Sequence, residues 1–168
     1  MRLMFWTSFW IFAVDQAIKF HVLFSVFGLS WAQVRVPSDQ LPNPASIEVL
    51  PSFFALRMAW NRGINFGLLA DFDMRWVLIG VAFAITAGVI WWLNRAGGTK
   101  WVYIAGGFLI GGAVGNVIDR LLYGAVADFL NVSCCGINNP FAFNVADIAI
   151  FVGAIGLAFL ADDGKKAA

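Results

Sequence analysis

The sequence predicts a membrane all-α protein, four transmembrane helices with a small β-sheet at the membrane surface, and three observations carry that reading. Apolar residues make up 61% of the chain and charged residues 12%, about half the charged share of a soluble domain. Four apolar stretches, roughly 3–29, 74–93, 101–122 and 141–160, each approach the ~20 residues a helix needs to span the hydrocarbon core. Four of the five prolines fall in the segment 30–73, and the fifth, Pro140, precedes the fourth stretch. Proline therefore stays outside the bilayer, as its missing N–H requires. At 168 residues the chain, 1–168, is read as one domain.

The first stretch resembles a signal peptide in having Arg2 before an apolar run. Asp15 and Lys19 interrupt that run, and Ser30-Trp31-Ala32 is a poor cleavage site, so it is read as a retained helix. A charge in a membrane helix costs about 2.5–3.5 kcal/mol on insertion scales, so each needs a reason. Asp15 and Lys19 are four apart, with the acid first, and share one helix face. They are either a structural ion pair or a direct contact to substrate or backbone.

In the segment 30–73, Phe54, Leu56, Met58 and Trp60 alternate with Ala55, Arg57 and Ala59. Period-two alternation predicts a short strand over 53–60, whose bulky face would rest on the membrane surface. Just before the second helix stands Asn61-Arg62-Gly63-Ile64-Asn65-Phe66-Gly67-Leu68-Leu69. Its two glycines permit tight turns and Asn61 offers both a donor and an acceptor. A plain turn and a substrate clamp fit it equally.

The third helix ends in Gly115-Asn116-Val117-Ile118-Asp119-Arg120, where Asn116, Asp119 and Arg120 project to a similar side. Arg120, with five donors in a rigid fork, is expected to tie helix ends to a surface loop. Asp128 follows among apolar neighbours, and Asn144 and Asp147 share a face at the start of the fourth helix. The short connection makes helices three and four antiparallel neighbours, so Asp128 and Asp147 can meet at one membrane level. Paired carboxylates suit water-activating hydrolysis. Two close acids keep one proton between them; the ionised partner deprotonates water and the protonated one polarises a carbonyl.

Other chemistry is excluded or left without residues. The net charge of +1 argues against nucleic acid. One histidine, His21, rules out a His-rich metal site, and no cofactor is called for. Adjacent Cys134 and Cys135 suit neither a disulfide between them nor a zinc site, and read as small apolar residues or thiols. With the N-terminus inside, Arg2, Arg95, Lys100, Lys165 and Lys166 fall in short inner segments, and Arg35, Arg57, Arg62 and Arg75 in longer outer ones. That density places both termini in the cytoplasm.

Together these stretches resemble the lipoprotein signal peptidases, the signal peptidase II family of aspartic peptidases in bacterial inner membranes. Val14-Asp15-Gln16 with Lys19, Asn61-Arg62-Gly63 with Phe66, and Gly115-Asn116-Val117-Ile118-Asp119-Arg120 match its first three motifs. Val126-Ala127-Asp128-Phe129 and Phe143-Asn144-Val145-Ala146-Asp147 match the rest, so the likeness runs along nearly the whole chain. Asn65, Ala127, the Pro-rich stretch 35–51 and the cysteine pair depart from the family's pattern. The resemblance implies Asp128 and Asp147 as the catalytic dyad. It implies that Asn61, Gly63, Asn116, Arg120 and Asn144 hold substrate, backbone or dyad, with Asp15, Lys19 and Asp119 as the supporting polar set. The implied substrate is a diacylglyceryl prolipoprotein in contact with membrane lipid, cut before its lipidated cysteine by a monomer whose small sheet and active site face the periplasm. No cofactor is implied.

The rival reading is a small proton-coupled transporter or channel, since intramembrane Asp, Lys and Arg also mark ion paths. It requires acids spread through the membrane depth. Here they gather from 119 onward or in the outward half of helix one, and only Asp15 fits a relay. A non-catalytic assembly subunit and a Ser-Lys peptidase using Lys19 are weaker alternatives, the last because Asp15 already partners that lysine.

Overall fold

The computed structural model describes residues 1–63, 74–134 and 139–160. Ile64–Leu69 of the glycine motif, Asn65, Phe66 and Gly67 among them, lie outside the described residues, as do Cys135 and the two C-terminal lysines.

Helix α1 runs from Arg2 to Phe20 and continues as a π-helical turn, His21–Val26. A short helix α2, Trp31–Val34, follows, opened by Ser30 and Gln33 capping each other. Strands β1 (Ile47–Leu50) and β2 (Phe54–Asn61) precede helix α3 (Met74–Ala96) and helix α4 (Lys100–Tyr123). Strand β3 (Val126–Val132) and helix α5 (Val145–Leu160) complete the order.

Three helical spans, Arg2–Val26, Met74–Ala96 and Lys100–Tyr123, are long and apolar enough to cross a membrane. The fourth apolar helix is shorter than expected, at 16 residues. Hydropathy predicts a start near 141, but Phe143 is drawn out of the helix by backbone pairing. Its carbonyl accepts from the N–H groups of Phe129 and Leu130, and its own N–H donates to the Leu130 carbonyl at 3.0 Å. The first helix likewise ends at Val26 rather than 29.

Lipid-type surfaces are evident in the large apolar side chains left outward. Phe5, Trp6 and Trp10 on α1, Phe83 and Trp91 on α3, and Phe151 and Phe159 on α5 are all exposed. Inside, α4 is the central helix, packed on both α1 and α5. Close approach depends on glycine, as is usual where lipid offers no hydrophobic drive to association. A Cβ on Gly115 would stand 2.6 Å from Asp15 Oδ2, and one on Gly107 2.8 Å from the Met4 carbonyl. Helix α4 stops at Gly124, whose φ of 74° lets its N–H reach back to the Arg120 carbonyl at 3.1 Å.

The sheet is antiparallel in the order β1-β2-β3. Between Leu56↔Leu130 and Ala59↔Asp128 the register slips by one residue, a bulge in β2 that re-aims its far end. Leu56, Met58 and Trp60 form one face, as the alternation predicted, but that face packs on a protein core with Leu23, Val34, Tyr123 and Phe129 instead of the expected membrane surface, and Arg57 is exposed. That core seats the sheet on the ends of α1 and α4.

Candidate active site

Two segments deliver the paired acids. Asp128 lies in the middle of β3 opposite Ala59, and Asp147 lies in the first turn of α5. The Phe143 bridge to Leu130 brings the start of α5 alongside β3, so Asn144 reaches Asp128. Its Nδ2 donates to Asp128 Oδ1 at 2.6 Å and to Asn116 Oδ1 at 3.2 Å. Its own Oδ1 accepts the Asp147 N–H at 2.9 Å, and Asp147 Oδ2 accepts the Asn144 N–H at 3.2 Å. This is a reciprocal cap of α5. Because a backbone donor fixes which atom of the amide is oxygen, the nitrogen must face Asp128.

Asn116 supplies the next link. Its Nδ2 donates to Asp147 Oδ1 at 2.8 Å while its Oδ1 receives Lys19 Nζ at 3.3 Å. The lysine thereby orients the amide that holds Asp147. Lys19 is almost wholly buried between Asp15 Oδ2 at 2.9 Å and Asp119 Oδ2 at 2.7 Å. One positive charge thus serves two buried carboxylates. Gln16, which the sequence reading quoted only as part of a motif, helps them: its Nε2 donates to Asp15 Oδ2 and to Asp119 Oδ1, both at 3.1 Å. The position beside Asp15 in an apolar helix was the available signal.

Both acids also accept backbone N–H groups. Asp15 Oδ1 accepts the N–H of Ala146 at 2.9 Å, and Asp119 Oδ2 accepts the N–H of Ala127 at 3.2 Å. Ala146 and Ala127 are the residues immediately before Asp147 and Asp128. Each supporting acid therefore fixes the backbone of one member of the pair. The expected ion pair of Asp15 with Lys19 is present, and Asp119 joins it from another helix.

Arg120 does not play the tying part expected of it in the described contacts. Its Nη1 donates to the Asn116 carbonyl of its own helix at 3.2 Å, and its Nε is buried without a partner among the described residues. Lys19 instead connects the helices. Asn61, at the exposed end of β2, accepts the Gly63 N–H at 3.0 Å, and its side chain is near enough to Asp128 to oppose the rise of that carboxyl. Gly63 has φ 111°, and a Cβ there would stand 2.8 Å from Leu78 Cδ1, so the turn needs glycine. Cys134 is disulfide-bonded, which corrects the expectation that the cysteine pair suits no disulfide and reads as small apolar residues or thiols.

The two acids differ in environment. Asp128 is 2% exposed, whereas Asp147 is half-buried. Burial first, and then the neighbouring Asp147 charge, push the Asp128 carboxyl up to about 7, against the opposing pull of Asn61, Asn144 and Lys19. A buried carboxyl that keeps its proton near neutrality beside a more accessible carboxylate can donate one hydrogen bond and accept one proton at the same place. No group of three or more metal-ligating side chains is found among the described residues.

A family model described as signal peptidase (SPase) II matches residues 7–161. The lipoprotein signal peptidase of Vibrio parahaemolyticus is 38% identical over 152 residues, covering 89% of this chain and 81% of its own. That of Vibrio cholerae is 37% identical over 165 residues, covering 96% and 86%. In fold, the chain is similar to two solved structures, each described as a bacterial membrane enzyme studied by the in meso method. The TM-scores are 0.73 at 22% identity, covering 95% of this chain and 92% of the other, and 0.69 at 24% identity, covering 99% and 92%. The chain belongs to the signal peptidase II family and is a peptidase.

Proposed function

We propose that the chain is an intramembrane aspartic endopeptidase that removes signal peptides from diacylglyceryl-modified prolipoproteins, cutting before the lipidated cysteine. The observation that carries the aspartic mechanism is the Asn144 amide, which binds Asp128 with one end and the first turn of Asp147's helix with the other. The family and the names of its relatives support the prolipoprotein substrate. The density of Lys and Arg and the four apolar stretches support four membrane passes in the bacterial inner membrane, with both termini cytoplasmic and the dyad at the periplasmic face.

Asp147, more accessible and held by Asn116 and the Asn144 N–H, is the base. It takes a proton from a water molecule as that oxygen attacks the scissile carbonyl carbon. Asp128 gives its proton to the carbonyl oxygen, so the tetrahedral intermediate is neutral. Collapse returns that proton to Asp128 while Asp147 passes its proton to the leaving amine, which regenerates both groups. The reaction consumes one water and needs no metal or cofactor. Asn61, exposed at the end of β2, and the half-buried Arg120 fork bind substrate backbone. Asp15, Lys19, Gln16 and Asp119 hold the two catalytic backbones.

The test is cleavage by purified protein of one prolipoprotein with and without its diacylglyceryl group. Acyl chains that come from lipid gain little by moving, so the lipid acts by setting the depth of the scissile bond. Cleavage of the lipidated form alone is expected, and equal cleavage of both forms would remove lipid recognition from the proposal.

A further inference from the structure

Strand β3 carries one polar side chain besides Asp128, and that residue, Asn131, is only 6% exposed. Its hydrogen bonds go not to the paired acids but to the segment that leads into α5. Its Nδ2 donates to the Asn139 carbonyl at 2.8 Å and to the Phe141 carbonyl at 2.7 Å, which uses both of its protons. Two carbonyls on one side fix that end of the amide as nitrogen. The other end accepts from Ser133 Oγ at 3.3 Å, and that hydroxyl accepts the Asn139 N–H at 3.1 Å. Asn139 closes the cluster: its Oδ1 takes the Phe141 N–H at 3.0 Å and its Nδ2 donates to the Val132 carbonyl at 3.2 Å.

Pro140, between the two anchored carbonyls, has no N–H to give a neighbouring strand. The N–H and C=O groups of Asn139 and Phe141 all end on side chains instead. Backbone pairing with β3 is then made at Phe143. Asn144, the donor to Asp128, is the next residue, and Asp147 follows in the first turn of α5.

We infer, given the proposed dyad, that Asn131 is a positioning residue of the peptidase: its amide registers the start of α5 against β3 and so sets the separation of Asp147 from Asp128. The bridge at Phe143 alone is a pivot, and a rigid joint needs a second fixed point, which Asn131 supplies at residues 139 and 141. Without its two donors those carbonyls turn to water and the first turn of α5 shifts about Phe143. Asp15 and Asn116 still hold that turn from the helix side, so the chain stays folded and the displacement is small. Asn61, paired with the opposite end of β3, and Arg120 on α4 keep their places.

The experiment compares the full chain in detergent with Asn131→Leu, close in shape but without donors, and Ser133→Ala, which removes only the hydroxyl between Asn131 and Asn139. On a diacylglyceryl prolipoprotein kcat should fall roughly tenfold in Asn131→Leu, since a misplacement of about 1 Å costs up to ~100-fold. The fall should be smaller in Ser133→Ala, and KM should stay within about twofold of the wild type in both. On the same samples the Asp128 carboxyl is titrated by carbon-13 NMR. Burial and the Asp147 charge push it up to about 7, against Lys19 of α1. Withdrawal of that charge and entry of water both lower it, so Asn131→Leu should titrate below the wild type. Unchanged kcat, a rise in KM alone, or a fall in kcat with Asp128 titrating as in the wild type overturns the inference. If Asn131→Leu does not fold, the same three readings on Ser133→Ala decide it. Wild-type turnover in Asp128→Asn would sink the dyad instead, and the titration, which needs no turnover, would still report whether Asn131 holds the two segments together.

Discussion

Asp15 and Asp119 stand in matching relations to the paired acids Asp147 and Asp128: each accepts the N–H of the alanine that precedes one of them, and both share the Lys19 ammonium. Asp15 and Asp119 come from helices α1 and α4, and the backbones they fix belong to α5 and β3. Buried charge thus helps to set the geometry of the two carboxyls.

Lys19→Met should be the most damaging change outside the dyad. It leaves two buried carboxylates without their cation, and breaking such a network costs about 3–5 kcal/mol. Adding Asp119→Asn to that variant should recover part of the loss, because one uncompensated charge is removed. Thermal unfolding of the single and double variants in detergent checks both expectations.

Asn144 combines a cap with a contact to Asp128, and two substitutions separate them. Asn144→Ala should lose about 1 kcal/mol or more of stability with the cap, and most of its turnover with the donor to Asp128. Asn144→Ser keeps an oxygen for the Asp147 N–H but has no amide for Asp128. It should melt near the wild type and remain nearly inactive. Unfolding and turnover measured on the same preparations distinguish the two roles.

Much of this was legible in the chain. Asp15 and Lys19 could be paired by their spacing, and the apolar runs located the helices to within a few residues. Strand β3 could not be seen, because Val126–Phe129 are buried throughout and show no alternation. Strand β1 is four exposed residues with no pattern at all. The apolar run 141–143 reads as helical because hydropathy cannot register a backbone claimed by a neighbouring strand. Asp119 was placed at a helix end with Arg120, yet its partner is Lys19, about a hundred residues away in sequence. Only tertiary packing could make that pairing.

The Asp128 carboxyl, raised from 3.8 to about 7, gives a pH dependence with a definite sign. Between those values the folded protein holds a proton that the unfolded chain has released, so stability from this group is full below the lower value and is lost as pH rises through the upper one. At about pH 8 the wild type buries a charge that Asp128→Asn lacks. The variant should then be the more stable by an amount of order 2–4 kcal/mol, from ~1.36 kcal/mol per pKa unit. The difference should shrink toward pH 5. Unfolding at the two pH values tests it, and an unchanged or reversed difference would contradict the buried, proton-holding role. Turnover, which needs that proton, should decline above about pH 7.

The central claim is that Asp128 and Asp147 act as one unit, and the most direct measurement is turnover of a diacylglyceryl prolipoprotein by purified Asp128→Asn, Asp147→Asn and the double variant. Each change is nearly isosteric and should leave the chain folded, which an unfolding curve on the same samples verifies. Residues that share one proton fail together, so each single variant should lose at least about a thousandfold, and the double little more. A folded single variant with a substantial fraction of wild-type turnover would contradict the dyad and return Asp119 to candidacy as the catalytic acid.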